Sequence, residues 1–400
     1  AHGEPLGEEN IAAYKKYLNW EYKAFEVPDD VYAHMAALQV GYEKQERAYN
    51  EMFAAYREKY PALYQEWLAY HDGKLPEGLT GDAALWAAAG KQATRATSGE
   101  ILNLLNARLP NLFGGSADLG PSNKCVLNGE EYFSPECRRG KNIHFGVREF
   151  AMAAICNGIS LYGGLRPFCA TFLVFADYLK PALRLSALMG RQILFILTHD
   201  SIGVGEDGPT HQPIEQIAAL RATPNTYVFR PADHKETAAS YLAALNLSAP
   251  SAFALTRQNL PQYAETSKEA MRGGYILRDA HQGKADVILM ASGSEVELIY
   301  QAADILAVQG IACRLVSMPC MDLFEQQDEA YRESVLPQSI KKRVAVEAGA
   351  GFGWHKYTGL DGKVVSIGHF GASAPADKLF SAFGITAQAV VQAAGGVALP

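Results

Sequence analysis

The sequence has little that points to a membrane, secreted or nucleic-acid-binding protein. Its apolar runs, such as Ile193–Leu197, are far shorter than the roughly 20 residues that a membrane-spanning helix needs. Its six cysteines form no CxxC pair and no secretion signal opens the chain, so we expect a reducing, cytoplasmic location. It also has no cluster of lysines and arginines that could follow a phosphodiester backbone. We therefore expect neither a membrane nor a nucleic acid as partner.

The composition is that of a globular protein. Hydrophobic residues make up 48% of the 400 residues, charged residues make up 20%, and the net charge is −7. This length exceeds one ordinary hydrophobic core, so two or three domains are expected. The chain opens with Ala-His-Gly-Glu-Pro-Leu-Gly and soon enters a helical pattern. We interpret this as a start within a longer protein, or as a second subunit.

The first part of the chain is predicted to be helical. A short amphipathic helix around Tyr14 is followed by a longer one after Pro28 and a third that begins at Pro61. The apolar stripe of the longer helix, from residue 31 to 56, predicts a packed helical face. Residues 72–82, DGKLPEGLTGD, have the composition of a linker.

Short apolar strands then alternate with helices in two successive units, at about 84–263 and 275–400. This alternation predicts an α/β fold with two doubly wound, mostly parallel sheets. The segment Ala264–Gly283 is the expected boundary. The expected strands are Leu112–Gly114, Arg166–Thr171, Ile193–Thr198, Thr226–Arg230, Phe253–Thr256, Asp286–Met290, Arg314–Met318, Arg343–Glu347 and Val364–Ile367. The expected helices of the first unit are Arg148–Tyr162, Val174–Met189 and His234–Leu245.

Polar residues follow three of the expected strands, where ligands of open parallel sheets bind. They are Ser116–Asp118, His199 and Arg257. The stretch 198–213, THDSIGVGEDGPTHQP, holds two histidines, three acids and three glycines. Glycines let a backbone approach a ligand closely, and histidines move protons near neutral pH. We therefore predict an active-site loop.

A metal site built from His199, Asp207 and His211 is the alternative for this loop. Its irregular spacing, with no HExxH or CxxC motif, disfavours metal binding.

Other candidates are ambiguous from the residues alone. Glu149 opens a long apolar helix, where it is either a partner of the helix dipole or a buried acid with a raised pKa. Four aromatic residues follow at short spacing, and such a stripe is more often core than ligand platform. They are Phe168, which we assign to the strand, and Phe172, Phe175 and Tyr178.

Two arginines could bind an anionic group together with a serine in a Gly-Pro-Ser-Asn turn. These residues are Arg95, Arg257 and Ser122. Isolated arginines are usually surface residues, so the neighbouring polar loops are what make this set a candidate site.

Taken together, these segments resemble transketolases, the thiamine diphosphate enzymes that transfer a two-carbon ketol unit between sugar phosphates. The resemblance extends over essentially the whole chain. It is carried, in order, by ATRATSGEIL, GGSADLGPSN, HFGVREFAMAAICNG, ATFLVFADYLKPALRLSAL, HDSIGVGEDGPTHQPIEQIAALR and LTRQNLP. It implies a pyrimidine-binding domain at 84–263, a C-terminal domain at 275–400, and in residues 1–83 the end of a diphosphate-binding domain followed by a helical linker.

The resemblance implies roles for the cofactor residues. Glu149 would hydrogen-bond the aminopyrimidine ring and promote its imino form. Phe172, Phe175 and Tyr178 would form the aromatic pocket for that ring, and Asp118 would lie near the cofactor and the donor substrate.

It also implies roles toward the substrate. His211 and Asp207 would contact the sugar hydroxyls, with His211 also a proton carrier. His2, in the HGxPLG turn, would reach the reacting carbons. The residues implied to hold the substrate phosphate are His199, Arg95, Ser122 and Arg257.

The sequence departs from the family in one respect. Transketolases hold the diphosphate and its Mg²⁺ or Ca²⁺ with a GDG…N motif, whereas this sequence has only GEDG at 205–208, LDGK at 360–363 and GDAALW at 81–86. We therefore expect the chain to begin at the last turn of the diphosphate-binding domain. We also expect it to bind only the pyrimidine half of the cofactor and to be inactive without a diphosphate-binding domain or subunit.

Three further expectations follow. The resemblance implies a homodimer formed through the pyrimidine-binding and C-terminal domains. The alternatives in function are a dihydroxyacetone synthase or phosphoketolase, and a non-catalytic transketolase-like binding or regulatory subunit. In the C-terminal domain we assign no catalytic residue, but a backbone nest at Ser292–Ser294 could bind an anion.

Overall fold

The computed structural model describes residues 2–88 and 90–397, in two compact units that divide after Ala69. The first unit is helical, as predicted. Its helices are α1 (Glu8–Tyr17), α2 (Asp29–Lys59) and α3 (Pro61–Asp72), the last of which ends in the second unit. Pro28 is the N-cap of α2, and two aspartates lie in its first turn.

The apolar stripe of α2 is not the packed face that its periodicity predicts. Met35 is 56% exposed, Tyr42 is 61% exposed, and no residue of α2 is buried. Aromatic packing is concentrated near the end of the helix, where the ring of Phe53 lies 5.4 Å from that of Tyr64. Periodicity defines which residues share a face, but it does not specify what covers that face.

The second unit contains two α/β sheets in succession, which confirms the predicted fold class. The strands of the first sheet are β1 (Leu112–Ser116), β2 (Asn142–His144), β3 (Arg166–Phe172), β4 (Leu194–Thr198), β5 (Tyr227–Phe229) and β6 (Ser251–Leu255). They are all parallel, in the order β2-β1-β3-β4-β6-β5. The helices between Ala83 and Ala244 are α4 (Ala83–Trp86), α5 (Thr94–Arg108), α6 (Gly120–Asn123), α7 (Glu149–Tyr162), α8 (Ala176–Leu188), α9 (Gln216–Arg221) and α10 (His234–Ala244).

The second sheet has the order β11-β10-β8-β9-β7, and β7 runs antiparallel to β9. Its strands are β7 (Tyr275–Arg278), β8 (Val287–Ala291), β9 (Cys313–Ser317), β10 (Arg343–Val346) and β11 (Lys363–Val365). The helices around it are α11 (Val296–Val308), α12 (Met321–Glu325), α13 (Glu329–Val335), α14 (His355–Thr358), α15 (Ala376–Ala382) and α16 (Ala387–Ala393). No helix within 2–88 and 90–397 combines the length and apolar character needed to cross a membrane.

The sequence missed two strands. β2 is a three-residue edge strand that ends at an exposed histidine, so it has almost no apolar signature. β7 lies inside the segment that we expected to be a boundary, and it is an antiparallel edge strand with alternating burial. The other strands agree with the predictions to within a few residues at each end.

The strand order positions the candidate site. β1, β3, β4 and β6 are neighbours in a parallel sheet, so their carboxyl ends lie along one edge. The polar loops after β1, β4 and β6 and the aromatic segment after β3 therefore come together.

Candidate active site

Two residues at this edge have a backbone conformation that is uncommon for any residue except glycine. His199, directly after β4, has φ 63°, and Asp118, two residues after β1, has φ 72°. Such left-handed conformations cost free energy and cluster at functional sites, where the surrounding structure enforces them. Both residues are among the predicted site residues.

Hydrogen bonds fix the orientation of the His199 ring, which is only 3% exposed. Its Nδ1 lies 2.8 Å from the Thr198 hydroxyl, which donates to Asn123 Oδ1 at 2.6 Å. Because the hydroxyl proton goes to Asn123, the Thr198 oxygen must accept from Nδ1–H. The lone pair of His199 is then on Nε2, which lies 3.3 Å from Nη1 of Arg95.

The electrostatics of this cluster suit an anion. Burial, followed by the charges of Arg95 and Arg257 and by His211, lowers the pKa of His199 to about 3. His199 is therefore neutral near pH 7, and the positive charge at this edge is carried by the two arginines. Arg95 also donates to the backbone carbonyl of Ser122 at 2.8 Å, so Ser122 helps to hold that guanidinium.

An aromatic row extends from His199 along the sheet edge. The ring of Phe172 stacks on that of His199 at 3.6 Å and lies 6.1 Å from the ring of Phe175. Phe175 in turn lies 6.0 Å from the ring of Tyr178 and 5.6 Å from that of His211. Tyr178 is 64% exposed, so the row ends in an open aromatic surface.

The interpretation of the aromatic stripe as core is therefore wrong for the end of the row. Phe168 is fully buried in β3, as assigned, whereas Phe175 is half-buried and Tyr178 is exposed. A row that leaves one ring half-buried and the next exposed can accept a further flat ring. These residues thus fit a planar heterocycle such as the aminopyrimidine of thiamine diphosphate.

The other predicted residues are Glu149, Asp118, Asp207 and His2. Glu149 is half-buried and is the first residue of α7, where its negative charge interacts favourably with the helix dipole. Asp118 and Asp207 are exposed. In the described part of the chain, none of these three carboxylates hydrogen-bonds to the aromatic row, to Arg95 or to His199. His2 is exposed and belongs to the first unit.

His211 is half-buried, and its Nδ1 lies 2.9 Å from the Thr210 hydroxyl. Its ring lies 6.2 Å from that of Phe172 and 5.6 Å from that of Phe175. Within residues 2–88 and 90–397, no three His, Cys, Asp or Glu side chains form a group that could hold a metal ion.

Sequence reasoning missed several residues of the site. Asn123 and Thr198 orient His199. They could have been found in the sequence, because they directly adjoin the predicted residues Ser122 and His199. The carboxamide of Gln258, next to Arg257, is buried without a hydrogen-bond partner among the described residues. A Cβ on Gly203 would lie 2.4 Å from its oxygen, so this amide lies directly against the active-site loop.

The fold and this cluster define an α/β protein with cationic and aromatic groups collected beyond the strand ends of a parallel sheet. Three family models match the chain in succession. They are described as the transketolase thiamine diphosphate binding domain at residues 1–76, the transketolase pyrimidine binding domain at 90–262 and the transketolase-like C-terminal domain at 273–386. The chain belongs to the transketolase family.

Curated relatives agree with this assignment. The transketolase of Geobacillus stearothermophilus is 46% identical over 398 residues, which are 98% of this chain and 60% of that protein. The transketolase of Bacillus subtilis is 47% identical over 397 residues, with the same coverage. The chain thus spans about 60% of the length of these relatives.

Solved structures show the same similarity. The transketolase from Leishmania mexicana has a TM-score of 0.91 at 40% identity, over 99% of this chain and 60% of that one. A Pichia stipitis transketolase in complex with sedoheptulose 7-phosphate has a TM-score of 0.91 at 41% identity, over 98% and 58%. A split-gene transketolase, described as an inactive β4 tetramer, has a TM-score of 0.62 at 25% identity, over 76% of this chain and 97% of that one.

These matches correct one expectation. Only the last turn of the diphosphate-binding domain was expected, but the model for the thiamine diphosphate binding domain matches residues 1–76, including α1 and α2. The prediction relied on a GDG motif. The helices in residues 1–76 lack that motif, so the sequence reasoning did not recognise them as part of the diphosphate-binding domain. The expectations that the chain is inactive alone and needs a separate diphosphate-binding domain or subunit lose their support with it.

Proposed function

We propose that the protein carrying this chain transfers a two-carbon ketol unit from a ketose phosphate to an aldose phosphate with thiamine diphosphate as cofactor. The observation that carries the proposal is the cluster of Arg95, Arg257 and neutral His199 at one end of an aromatic row with His211 beside it. This arrangement pairs an anion-binding end with a ring-stacking surface and a proton carrier.

We propose these roles at the cofactor end. Phe172, Phe175 and Tyr178 hold the aminopyrimidine ring, and Glu149 shares a proton with a nitrogen of that ring. Asp118 lies beside the cofactor and the donor. Thiamine diphosphate would supply the nucleophilic carbon that this transfer needs.

At the substrate end, Arg95 and Arg257 bind the phosphate by charge, and His199 takes part as a neutral group. Ser122 holds Arg95 through its carbonyl, so it acts on the phosphate indirectly. Binding at this distal group positions the reacting carbon.

His211 and Asp207 bind the sugar hydroxyls, and His211 moves a proton at the hydroxyl whose loss starts cleavage of the carbon–carbon bond. His2 reaches the reacting carbons. The same proposal includes Mg²⁺ or Ca²⁺ as the metal ion that binds with the diphosphate, a homodimer and a cytoplasmic location. It also includes the domain limits 1–83, 84–263 and 275–400.

The arginine cluster favours phosphorylated sugars over the substrates of a dihydroxyacetone synthase. Pichia stipitis transketolases have been solved with sedoheptulose 7-phosphate and xylulose 5-phosphate, which fits this preference. A non-catalytic subunit would not need a strained, buried His199 in contact with Arg95, so we place it second.

The test compares a phosphorylated with an unphosphorylated donor. Arg257→Gln should raise the KM for xylulose 5-phosphate at least tenfold and leave turnover of the unphosphorylated ketose unchanged, since hydrogen bonds to charged groups contribute about 1.5–3 kcal/mol. Arg272→Gln, which removes a surface arginine paired with Glu269, is the matched control. Equal changes for both donors would contradict the assignment of the phosphate end.

A further inference from the structure

The active-site loop, residues 198–213, is held by the C-terminal domain at its far end. The carboxamide of Gln212 is 2% exposed. Its Nε2 donates to the carbonyl of Gly205, at 2.7 Å, and to that of Ala372, at 2.9 Å. Its Oε1 accepts from the amide of Ala372 at 3.0 Å. One side chain thus closes the loop on itself and fastens it to the segment after β11.

The middle of the loop has a second fastening. The Ser373 hydroxyl donates to the carbonyl of Glu206 at 2.5 Å, directly before Asp207. A Cβ on Gly208 would lie 3.4 Å from the Ser373 Cβ, so the two segments are in van der Waals contact. Asp207 and His211 are therefore flanked on both sides by bonds to the C-terminal domain.

The start of the loop is fixed by a buried ion cluster around Arg230, which is fully buried. Its Nε donates to Asp200 Oδ2 at 2.9 Å, and its Nη1 donates to the carboxylate of Glu295. Glu347 Oε1 lies 3.7 Å from the same nitrogen. Asp200 directly follows His199, whereas the two glutamates follow β8 and β10 of the second sheet.

This cluster also corrects the expected anion nest at Ser292–Ser294. Arg230 Nη1 donates to the Ser292 carbonyl at 3.1 Å, and a Cβ on Gly293 would lie 2.9 Å from Arg230 Cγ. The space at the nest is filled by a side chain of the protein, and that side chain is a cation.

Apolar packing completes the attachment. Ile202 and Ile214, near the two ends of the loop, are buried in one hydrophobic cluster with Val346 and Leu379 of the C-terminal domain. The loop is thus anchored at its start, middle and end by one domain.

We infer that the C-terminal domain positions the active-site loop, with Gln212 as the positioning residue closest to His211. The anchoring is a property of the fold, and its consequence for turnover rests on the proposed function. Loss of the Gln212 bonds frees the segment that carries Asp207 and His211, and the productive geometry is then sampled less often.

Gly371 offers a specific way to break these bonds. A Cβ at this position would lie 1.7 Å from Gln212 Oε1, so Gly371→Ala displaces the carboxamide. The obstructing atom is the end of a flexible side chain, and Gly371 has no positive φ, so the fold should persist. Gly368→Ala is the matched control, because a Cβ there meets nothing within 4 Å.

The first readout is hydrogen–deuterium exchange of the full chain, read on peptides from residues 201–213. We expect Gly371→Ala and Gln212→Ala to speed exchange of these amides about tenfold or more, because the three hydrogen bonds of the Gln212 carboxamide are lost. The double variant should be no faster than Gln212→Ala, since the added methyl acts only by displacing Gln212. If Gly371→Ala exchanges like Gly368→Ala, or if its effect adds fully to that of Gln212→Ala, the anchoring is refuted.

The second readout is ketol transfer. Gly371→Ala should lower kcat about tenfold while the melting temperature stays near that of Gly368→Ala. Faster loop exchange with an unchanged kcat would refute the positioning role. A wild-type protein without any ketol transfer would refute the proposed function, while the exchange measurement would still decide the anchoring.

Discussion

The orientation of His199 depends on one hydroxyl, and this dependence leads to a sharp prediction. Thr198→Val keeps the shape of the side chain but removes the group that accepts from Nδ1–H and donates to Asn123. Thr198 and Asn123 are both fully buried. Water is therefore not available to replace the lost partner, and two polar groups are left unsatisfied. Each such group costs about 1–3 kcal/mol, so the free energy of unfolding should fall by at least that amount.

Thr198→Val should also weaken binding of the phosphorylated substrate. Without the Thr198 acceptor, the proton of His199 has no reason to stay on Nδ1. When it moves to Nε2, that nitrogen can no longer accept from Arg95, and the phosphate end is disordered. We expect the KM for xylulose 5-phosphate to rise about tenfold or more, as a cost of about 1.4 kcal/mol implies, with little change for an unphosphorylated donor.

Thr198→Ser is the control, because serine keeps the hydroxyl. Steady-state kinetics with both donors measures the KM, and ¹⁵N chemical shifts of labelled histidine report which ring nitrogen carries the proton. If Thr198→Val matches Thr198→Ser in KM and in the ¹⁵N shifts of His199, the hydrogen-bond argument is wrong.

Three further predictions concern pH and buried charge. Because the pKa of His199 is lowered from 6.5 to about 3, its titration should not appear in the pH profile of KM between pH 5 and 8. An inflection near pH 6.5 that His199→Asn removes would contradict this prediction. Burial and the charge of Asp233 raise the pKa of Glu236 from 4.5 to about 7, so the stability that protonated Glu236 contributes should be lost as the pH rises from 4.5 to about 7. In urea unfolding, Glu236→Gln should therefore flatten the decline of the free energy of unfolding over this pH range. An unchanged decline would contradict the prediction. Arg230→Met should lower the free energy of unfolding by about 3–5 kcal/mol, because it leaves buried carboxylates unpaired. Arg278→Met, which breaks a surface pair, should lower it by at most about 1 kcal/mol. Similar losses for the two variants in urea unfolding would contradict the role of the buried cluster.

The sequence predicted the sheet edge well for a physical reason. Central parallel strands such as β4 are buried on both faces, so they appear as apolar runs, and polar residues directly after them must lie at the carboxyl ends. This reasoning located His199 and Arg257 without further information.

Other features have no such local signal. The partners of the His199 ring are decided by distances between β4 and the segment after β1, about 75 residues apart. The bonds of Gln212 reach 160 residues along the chain, to Ala372. Long-range hydrogen bonds of this kind leave no periodic pattern, so neither the anchoring of the loop nor the filled nest at Gly293 could be predicted.

Thiamine-diphosphate-dependent ketol transfer, measured with the wild type and Glu149→Gln, is the decisive assay of the proposed function. We expect transfer from xylulose 5-phosphate to an aldose phosphate that requires the cofactor. It also predicts a loss of about 10²–10⁴-fold in kcat for Glu149→Gln, the range in which proton transfer by a positioned side chain contributes. Full turnover by Glu149→Gln, or transfer by the wild type that does not depend on thiamine diphosphate, would contradict it.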